Sequence, residues 1–314
     1  MIVAWLFPGQ GSQSVGMAKD VIAAFPAASR VFADADAAIG FELSKLILEG
    51  PEETLTLTAN AQPAIVTVSS AILAALREAH PSLPAPAFAA GHSLGEYSAL
   101  VASGALSLAD AVRLVRARGN AMQDAVASGA GAMNAVMGLD PAKVEALCAR
   151  AAEATGLVVS CANFNAPGQI VIAGHAAAVA KAAELVSQEK GKAIPIKVSA
   201  PFHCALMAPA AKIVAAELDR VALGALAFPI VANVDAKPNS SRERVKELLV
   251  RQVDGPVRWE ESVRFMKDSG VTHALEIGPG KVLAGLVKRI AKEITVLSVN
   301  DAAAIAEVPK FLGL

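Results

Sequence analysis

Cysteine is scarce: Cys148, Cys161 and Cys204 are odd in number and have no C-x-x-C spacing, so the chain offers neither a disulfide framework nor a zinc site. Free cysteines of this kind behave as buried small hydrophobes. An excess of charge of one sign is also missing. The net charge is −1, acidic and basic residues are mixed along the chain, and no basic stripe supplies the counterion release on which nucleic-acid binding depends. No stretch approaches the roughly 18 uninterrupted apolar residues of a membrane span. The apolar run Ile2 to Phe7 has no basic residue before it and stops at Pro8, which is too short and wrongly flanked for a signal peptide. A cytoplasmic location is therefore expected, with no nucleic acid and no membrane as partners. Repeats and low-complexity tracts are absent.

What is abundant is apolar surface: hydrophobic residues make up 54% of 314, enough for a sizeable core in one large domain or a large plus a small one. The positive hydropathy comes largely from alanine, a helix former, and points to a helix-rich α/β enzyme. Along the chain, Ile2 to Phe7 reads as a buried strand, Pro8 to Gln13 as a loop and Val15 to Ala28 as a helix. Thr58 to Ala79 has a helical pattern, ended by Pro81, Pro84 and Pro86. The run Ala87 to Ala90 is a candidate buried strand, followed by a helix from Glu96 to near Gly104. Ser107 to Asp110 fits a capping box for a helix reaching about Val126.

Between Gly129 and Val198 the pattern runs strand, helix, strand, strand, helix, strand, with strands near 132–137, 158–162, 169–173 and 193–198 and helices near 141–155 and 175–189. That order matches a ferredoxin-like unit, inserted at 128–198 into a discontinuous catalytic domain of 1–127 and 199–314. From Ala200 on come a strand at Ile230 to Val234, helices at 242–253 and 260–267, a strand at Ala274 to Ile277, then Gly278-Pro279-Gly280 and a helix to Ile290.

Gly91-His92-Ser93-Leu94-Gly95 fits G-x-S-x-G between a predicted strand and a predicted helix, the context that makes the pattern a nucleophile elbow. Ser93 then stands exposed at a helix start whose amides favour a developing oxyanion. A serine needs a base, and of the five histidines His80, His175 and His273 read as structural, while His92 adjoins the serine and reads as pocket-lining. His203 lies at a domain junction, where a proline-led loop begins a helix. Between the elbow and His203 no isolated acid occupies a loop, so a Ser–His dyad is considered, its imidazole oriented by a backbone carbonyl or an amide side chain.

On a helical wheel of 108–126, Leu108, Ala111, Val112, Leu114, Val115, Met122 and Val126 form an apolar arc that contains Arg118, whereas Arg113 and Arg116 fall outside it as solvent-facing arginines. A buried guanidinium needs an anion, either a substrate carboxylate or a protein Asp or Glu. Gly9-Gln10-Gly11 has Ser14 at the third glycine position and fails as a dinucleotide fingerprint. Gly278-Pro279-Gly280-Lys281 lacks P-loop spacing.

Taken together, Pro8 to Gln13, Gly91 to Leu100, Arg116 to Gly119, Asn163 to Gln169, His203 to Met207, Leu249 to Gln252 and Gly278 to Leu283 run in order over nearly the whole chain. They resemble the malonyl-CoA:acyl-carrier-protein transacylases of bacterial fatty acid synthesis. The resemblance implies an α/β-hydrolase-like large domain with an inserted ferredoxin-like small domain. It implies that Ser93 is the acylated nucleophile, His203 its base, and Gln252 the position that orients the histidine. The oxyanion hole is implied at the amides of Gln10 and Leu94, and the malonyl carboxylate clamp at Arg118. His92, Asn163 and Met122 are implied as further substrate-binding positions. The implied substrate is malonyl-CoA, and the implied partner an acyl carrier protein bearing phosphopantetheine, with no metal, no cofactor and a monomeric state. An acyltransferase for polyketide assembly would share these motifs. A serine hydrolase would share Ser93 and His203 without a use for Arg118, and a docking module without activity would not need an intact nucleophile, base and clamp.

Overall fold

The computed structural model describes residues 1–198 and 200–314. Residue 199, where the sequence reading resumes the catalytic domain, lies outside the described residues.

Among the described residues, ten strands form two sheets. In chain order they are β1 (Val3–Phe7), β2 (Phe88–Gly91), β3 (Gly131–Met137), β4 (Val159–Ala166), β5 (Gln169–His175), β6 (Lys192–Pro195), β7 (Ile230–Val231), β8 (Pro238–Asn239), β9 (His273–Ile277) and β10 (Thr295–Val299). The larger sheet has the order β10-β9-β1-β2-β7-β8, parallel except for the last pair. A parallel sheet must be covered on both faces, and strand alternation achieves this. Trp5, Phe7, Ala89, Leu275 and Ile277 point into one apolar core, while Ala4, Leu6, Ala90 and Ala274 point into the other. The smaller sheet, β4-β5-β3-β6, is antiparallel throughout, and a third core, with Val144, Leu147, Ile172 and Val179, lies between it and the helices Pro141–Thr155 and Ala176–Gln188. The small sheet is tied to the segment between the helices Arg242–Asp254 and Trp259–Asp268, where Phe164 N–H donates to Val257 O and Val257 N–H to Ala162 O, both at 2.9 Å.

Most strongly patterned segments lie where the sequence places them, among them the helices Thr58–Ala79, Leu108–Asp124 and Pro141–Thr155. Ser107 caps as its spacing predicts, its hydroxyl accepting Asp110 N–H at 3.0 Å. The helix expected over 15–28 is instead two, Lys19–Ala24 and Pro26–Ile39. Phe25, which precedes Pro26, is extended at φ −126°, as the proline ring demands of its neighbour. The strand expected over 230–234 stops at Val231, because Ala232 N–H turns to Lys237 O. Beyond Ile290, where the pattern assigns nothing, β10 and the helix Ala302–Leu312 complete the sheet edge.

The helix Thr58–Ala79 has the length and mean hydropathy, 1.4, to cross a membrane; 89% of its apolar window is buried inside the protein, as in a core helix.

Candidate active site

The carboxyl ends of β1, β2 and β7 converge, and the loops leaving them carry Gln10, Ser93 and Asn233. This is the crevice where parallel α/β sheets place their sites. Between β2 and the helix Gly95–Ala102 the chain turns so tightly that only glycine fits on either side. A Cβ on Gly91 would lie 1.9 Å from the Gly95 carbonyl carbon, and one on Gly95 would lie 2.0 Å from Phe7 O. Ser93 is left in the left-handed region at φ 50°, a conformation that costs a non-glycine residue roughly 1–2 kcal/mol. Asn233 holds it there, accepting Ser93 N–H at 2.6 Å and donating to Gly91 O at 2.7 Å.

Ser93 Oγ lies 2.7 Å from His203 Nε2. His203 precedes the turn Ala205–Met207 and is itself left-handed at φ 58°. Its Nδ1 is 2.8 Å from the backbone carbonyl of Gln252, which fixes the proton on Nδ1 and leaves Nε2 free to accept from the serine. Of the two kinds of acceptor open from the sequence, the fold uses the carbonyl. The Gln252 side chain is engaged elsewhere: Nε2 donates to Ser93 O and to Glu96 Oε2, each at 2.9 Å, and Oε1 accepts from Arg118 at 3.1 Å. His203 is 4% exposed, and burial, with Arg118 nearby, holds its imidazole down to about 3, so it is neutral at physiological pH.

Arg118 is 1% exposed. Its Nη1 donates to Gln62 Oε1 at 2.7 Å, and its Nη2 to Ser93 Oγ at 3.0 Å as well as to Gln252. Its guanidinium stands 5.4 Å over the Tyr97 ring, and Nε has no hydrogen-bond partner among the described residues. These partners are all neutral. A buried cation with no carboxylate in its fork is a site prepared for an anion from outside, and the protein ion pair that the sequence left open is not made. Arg116, expected at the solvent face, is instead half-buried: it hydrogen-bonds Ala59 O at 2.8 Å and Asn60 Oδ1, and lies over Phe41. The reason is that the first turn of the helix Thr58–Ala79 and Phe41 cover that face of Leu108–Asp124.

These groups open into a cavity of about 250 Å³ lined by Gln10, His92, Leu94, Met122 and Asn163 together with Ser93, Arg118 and His203. The fold thus brings every candidate site residue of the sequence to this cavity except Gln252, which lies behind its wall. The amides of Gln10 and Leu94 make no backbone hydrogen bond among the described residues, while the Gln10 side chain donates to Thr58 Oγ1 at 3.1 Å. His92 Nε2 lies 2.8 Å from Asn165 Oδ1, and burial lowers the basicity of its ring. Gln62, Asn233, Met133, Val171 and Phe202 are site residues the sequence reading missed. Gln62 and Asn233 carried one faint signal, a polar residue within or at the end of an apolar run. No cluster of three or more His, Cys, Asp or Glu able to hold a metal occurs among the described residues.

Comparison with known proteins adds an independent line. The family described as "Acyl transferase domain" matches residues 4–311. The malonyl CoA-acyl carrier protein transacylase of Escherichia coli (strain K12) is 48% identical over 304 residues, 96% of this chain and 97% of that one. An acyl carrier protein S-malonyltransferase from Vibrio cholerae is 43% identical and superposes with a TM-score of 0.95 over 98% of this chain and 100% of its own. A malonyl-transacylase solved in complex with its type II PKS acyl-carrier protein is 44% identical, with a TM-score of 0.95 over 100% of both chains. With a serine–histidine pair and an unneutralised arginine in one crevice, and such likeness from end to end, the chain belongs to the acyl transferase family, among the malonyl CoA-acyl carrier protein transacylases.

Proposed function

We propose that this enzyme transfers a malonyl group from malonyl-CoA to the phosphopantetheine thiol of an acyl carrier protein through an ester on Ser93. The observation that carries the reading is Arg118, charged, buried and without an anion, 3.0 Å from Ser93 Oγ. In this reading His203 Nε2 takes the hydroxyl proton as Ser93 Oγ attacks the thioester carbonyl. The amides of Gln10 and Leu94 stabilise the oxyanion, and the proton passes to the departing CoA thiolate. The carrier's thiol then reverses the sequence, giving up its proton to His203 and releasing Ser93. Arg118 holds the malonyl carboxylate, and His92, Met122 and Asn163 line the acyl pocket. Neither half-reaction needs a metal or other cofactor, so EDTA is expected to leave the rate unchanged. Intact mass spectrometry after mixing with malonyl-CoA should show a malonyl adduct that is absent in Ser93→Ala; an adduct that persists there would place the ester on another residue.

The finer architecture belongs to the same reading: an α/β-hydrolase-like domain of 1–127 and 199–314 with a ferredoxin-like insertion at 128–198, acting as a monomer in the cytoplasm. The strand order β4-β5-β3-β6, with a helix after β3 and after β5, supports the insertion. A second reading, supply of malonyl groups to polyketide assembly, is favoured by the 44% identity to the transacylase solved with a type II PKS carrier protein. Offering carrier proteins of both pathways and comparing kcat/KM separates the two.

A further inference from the structure

Three residues after Ser93, on the first turn of the helix Gly95–Ala102, Glu96 is 3% exposed. Its Oε2 accepts the backbone N–H of Asn233 and the Nε2 of Gln252, both at 2.9 Å. Each of these residues is itself a holder. Asn233 grips the elbow at Gly91 O and Ser93 N–H, and Gln252 grips Ser93 O with one end of its amide and Arg118 with the other. One buried carboxylate therefore stands a single residue away from both the nucleophile's backbone and the cationic fork. The charged groups that bear on it are Arg118 from the helix Leu108–Asp124 and Asp235 from the turn after β7. No Lys, Arg or His forms an ion pair with it among the described residues. Burying a carboxylate without a direct cation is unfavourable for folding, so its presence calls for a reason other than stability.

We propose that Glu96 is a positioning residue for acyl transfer: ionised, it fixes Asn233 and Gln252, and through them holds Ser93 on its elbow and Arg118 toward the substrate carboxylate. The inference rests on the reading of Ser93 as the acylated residue and Arg118 as the clamp. Burial, only partly offset by the two hydrogen bonds, raises the Glu96 carboxyl to about 7, whereas His203 is held near 3. Glu96 then titrates between about pH 6 and 8, and the holding form is the ionised one.

The test is single-turnover acylation by malonyl-CoA and by acetyl-CoA, followed by intact mass and expressed as a rate per labelled chain. For Glu96→Gln the malonyl rate is expected to fall about tenfold or more, the malonyl-to-acetyl ratio to shrink, and the rise of the wild-type rate with pH through about 7 to vanish. A residue that merely stabilised the fold would lower the labelled fraction and leave rate, ratio and pH profile at wild-type values, and that result would overturn the proposal. Where Glu96→Gln does not fold, Glu96→Asp, which keeps the charge but withdraws it by one methylene, is read by its rate and its malonyl-to-acetyl ratio, because its carboxyl still titrates. A wild-type acylation rate that stays flat over that pH range also overturns it. A wild-type enzyme without a Ser93 adduct would instead sink the underlying reading, so the two failures are told apart.

Discussion

Burial acts in opposite directions on His203 and Glu96, because one becomes charged by gaining a proton and the other by losing it. The folded state holds His203 near 3 against about 6.5 unfolded, so the unfolded chain binds the extra proton between those values. That contribution to stability, roughly 5 kcal/mol at most, is complete above about pH 6.5 and is lost as pH falls toward 3. Glu96 has the reverse sign: its folded value near 7 exceeds the unfolded one, so stability is lost as pH rises from about 4.5 through 7, by roughly 3 kcal/mol at most. Between about pH 5 and 6.5 the two slopes offset each other, so urea midpoints should stay nearly level there in wild type and rise with pH in Glu96→Gln. Arg118 is a second cause of the low His203 value, so Arg118→Ala should raise it, as imidazole NMR titration would show. The same substitution should cut the ratio of kcat/KM for malonyl-CoA over acetyl-CoA by roughly 10²-fold, since two charge-assisted hydrogen bonds are lost. Arg118→Lys should restore it only partly, because an ammonium lacks the planar fork. His203→Ala should slow acylation by about 10² or more. In Gln252→Ala the carbonyl that orients His203 remains, so the loss should fall on the malonyl rate more than on the acetyl rate.

Secondary structure delivers these side chains, and its tolerances are narrow where helices meet. The helix Leu108–Asp124 passes so close to the loop and first turn of Thr58–Ala79 that a Cβ on Gly119 would lie 2.7 Å from Ala59 Cα. Gly119→Ala should therefore destabilise the protein by about 1–3 kcal/mol in urea unfolding. It should also lower malonyl preference, since Arg118 is the preceding residue and Gln62, its partner, lies on the opposing helix. Ser107→Ala removes a cap at the far end of the same helix and should cost only about 1 kcal/mol, with the ratio unchanged. Unfolding curves together with the two-substrate assay separate these effects, because one substitution displaces Arg118 and the other only frays a terminus.

At the scale of the molecule, the crevice is closed from two sides: the large sheet supplies Ser93 and the small sheet supplies Met133, Asn163 and Val171 to the same cavity. The backbone link at Val257 ties the small sheet to the segment between the helices Arg242–Asp254 and Trp259–Asp268. Val257→Pro deletes the hydrogen bond to Ala162 O and should slow malonyl transfer by about tenfold while both sheets persist, a result that transfer assays and circular dichroism would check together. Retention of wild-type transfer in that variant would mean that packing alone holds the two sheets in register.

Much of this was legible along the chain, because strand and helix periodicity, glycine spacing around Ser93 and the place of Arg118 in an apolar arc are local properties. Phe25 and Pro26 show the limit at the level of elements: hydrophobic pattern suggested one helix where steric restriction made two. At the site, the sequence singled out Ser93, His203 and Arg118 as candidates but could not say that Arg118 lacks a carboxylate partner, since that depends on which residues arrive from 62 and 252. Nor could it say that Gln252 serves His203 through its carbonyl and Arg118 through its side chain. Residue types and their order were fixed by the chain itself; which charges share one dry crevice, and which of them stay unpaired, was decided only when β1, β2 and β7 were brought side by side, because hydrogen bonding and desolvation act through space and not along the sequence.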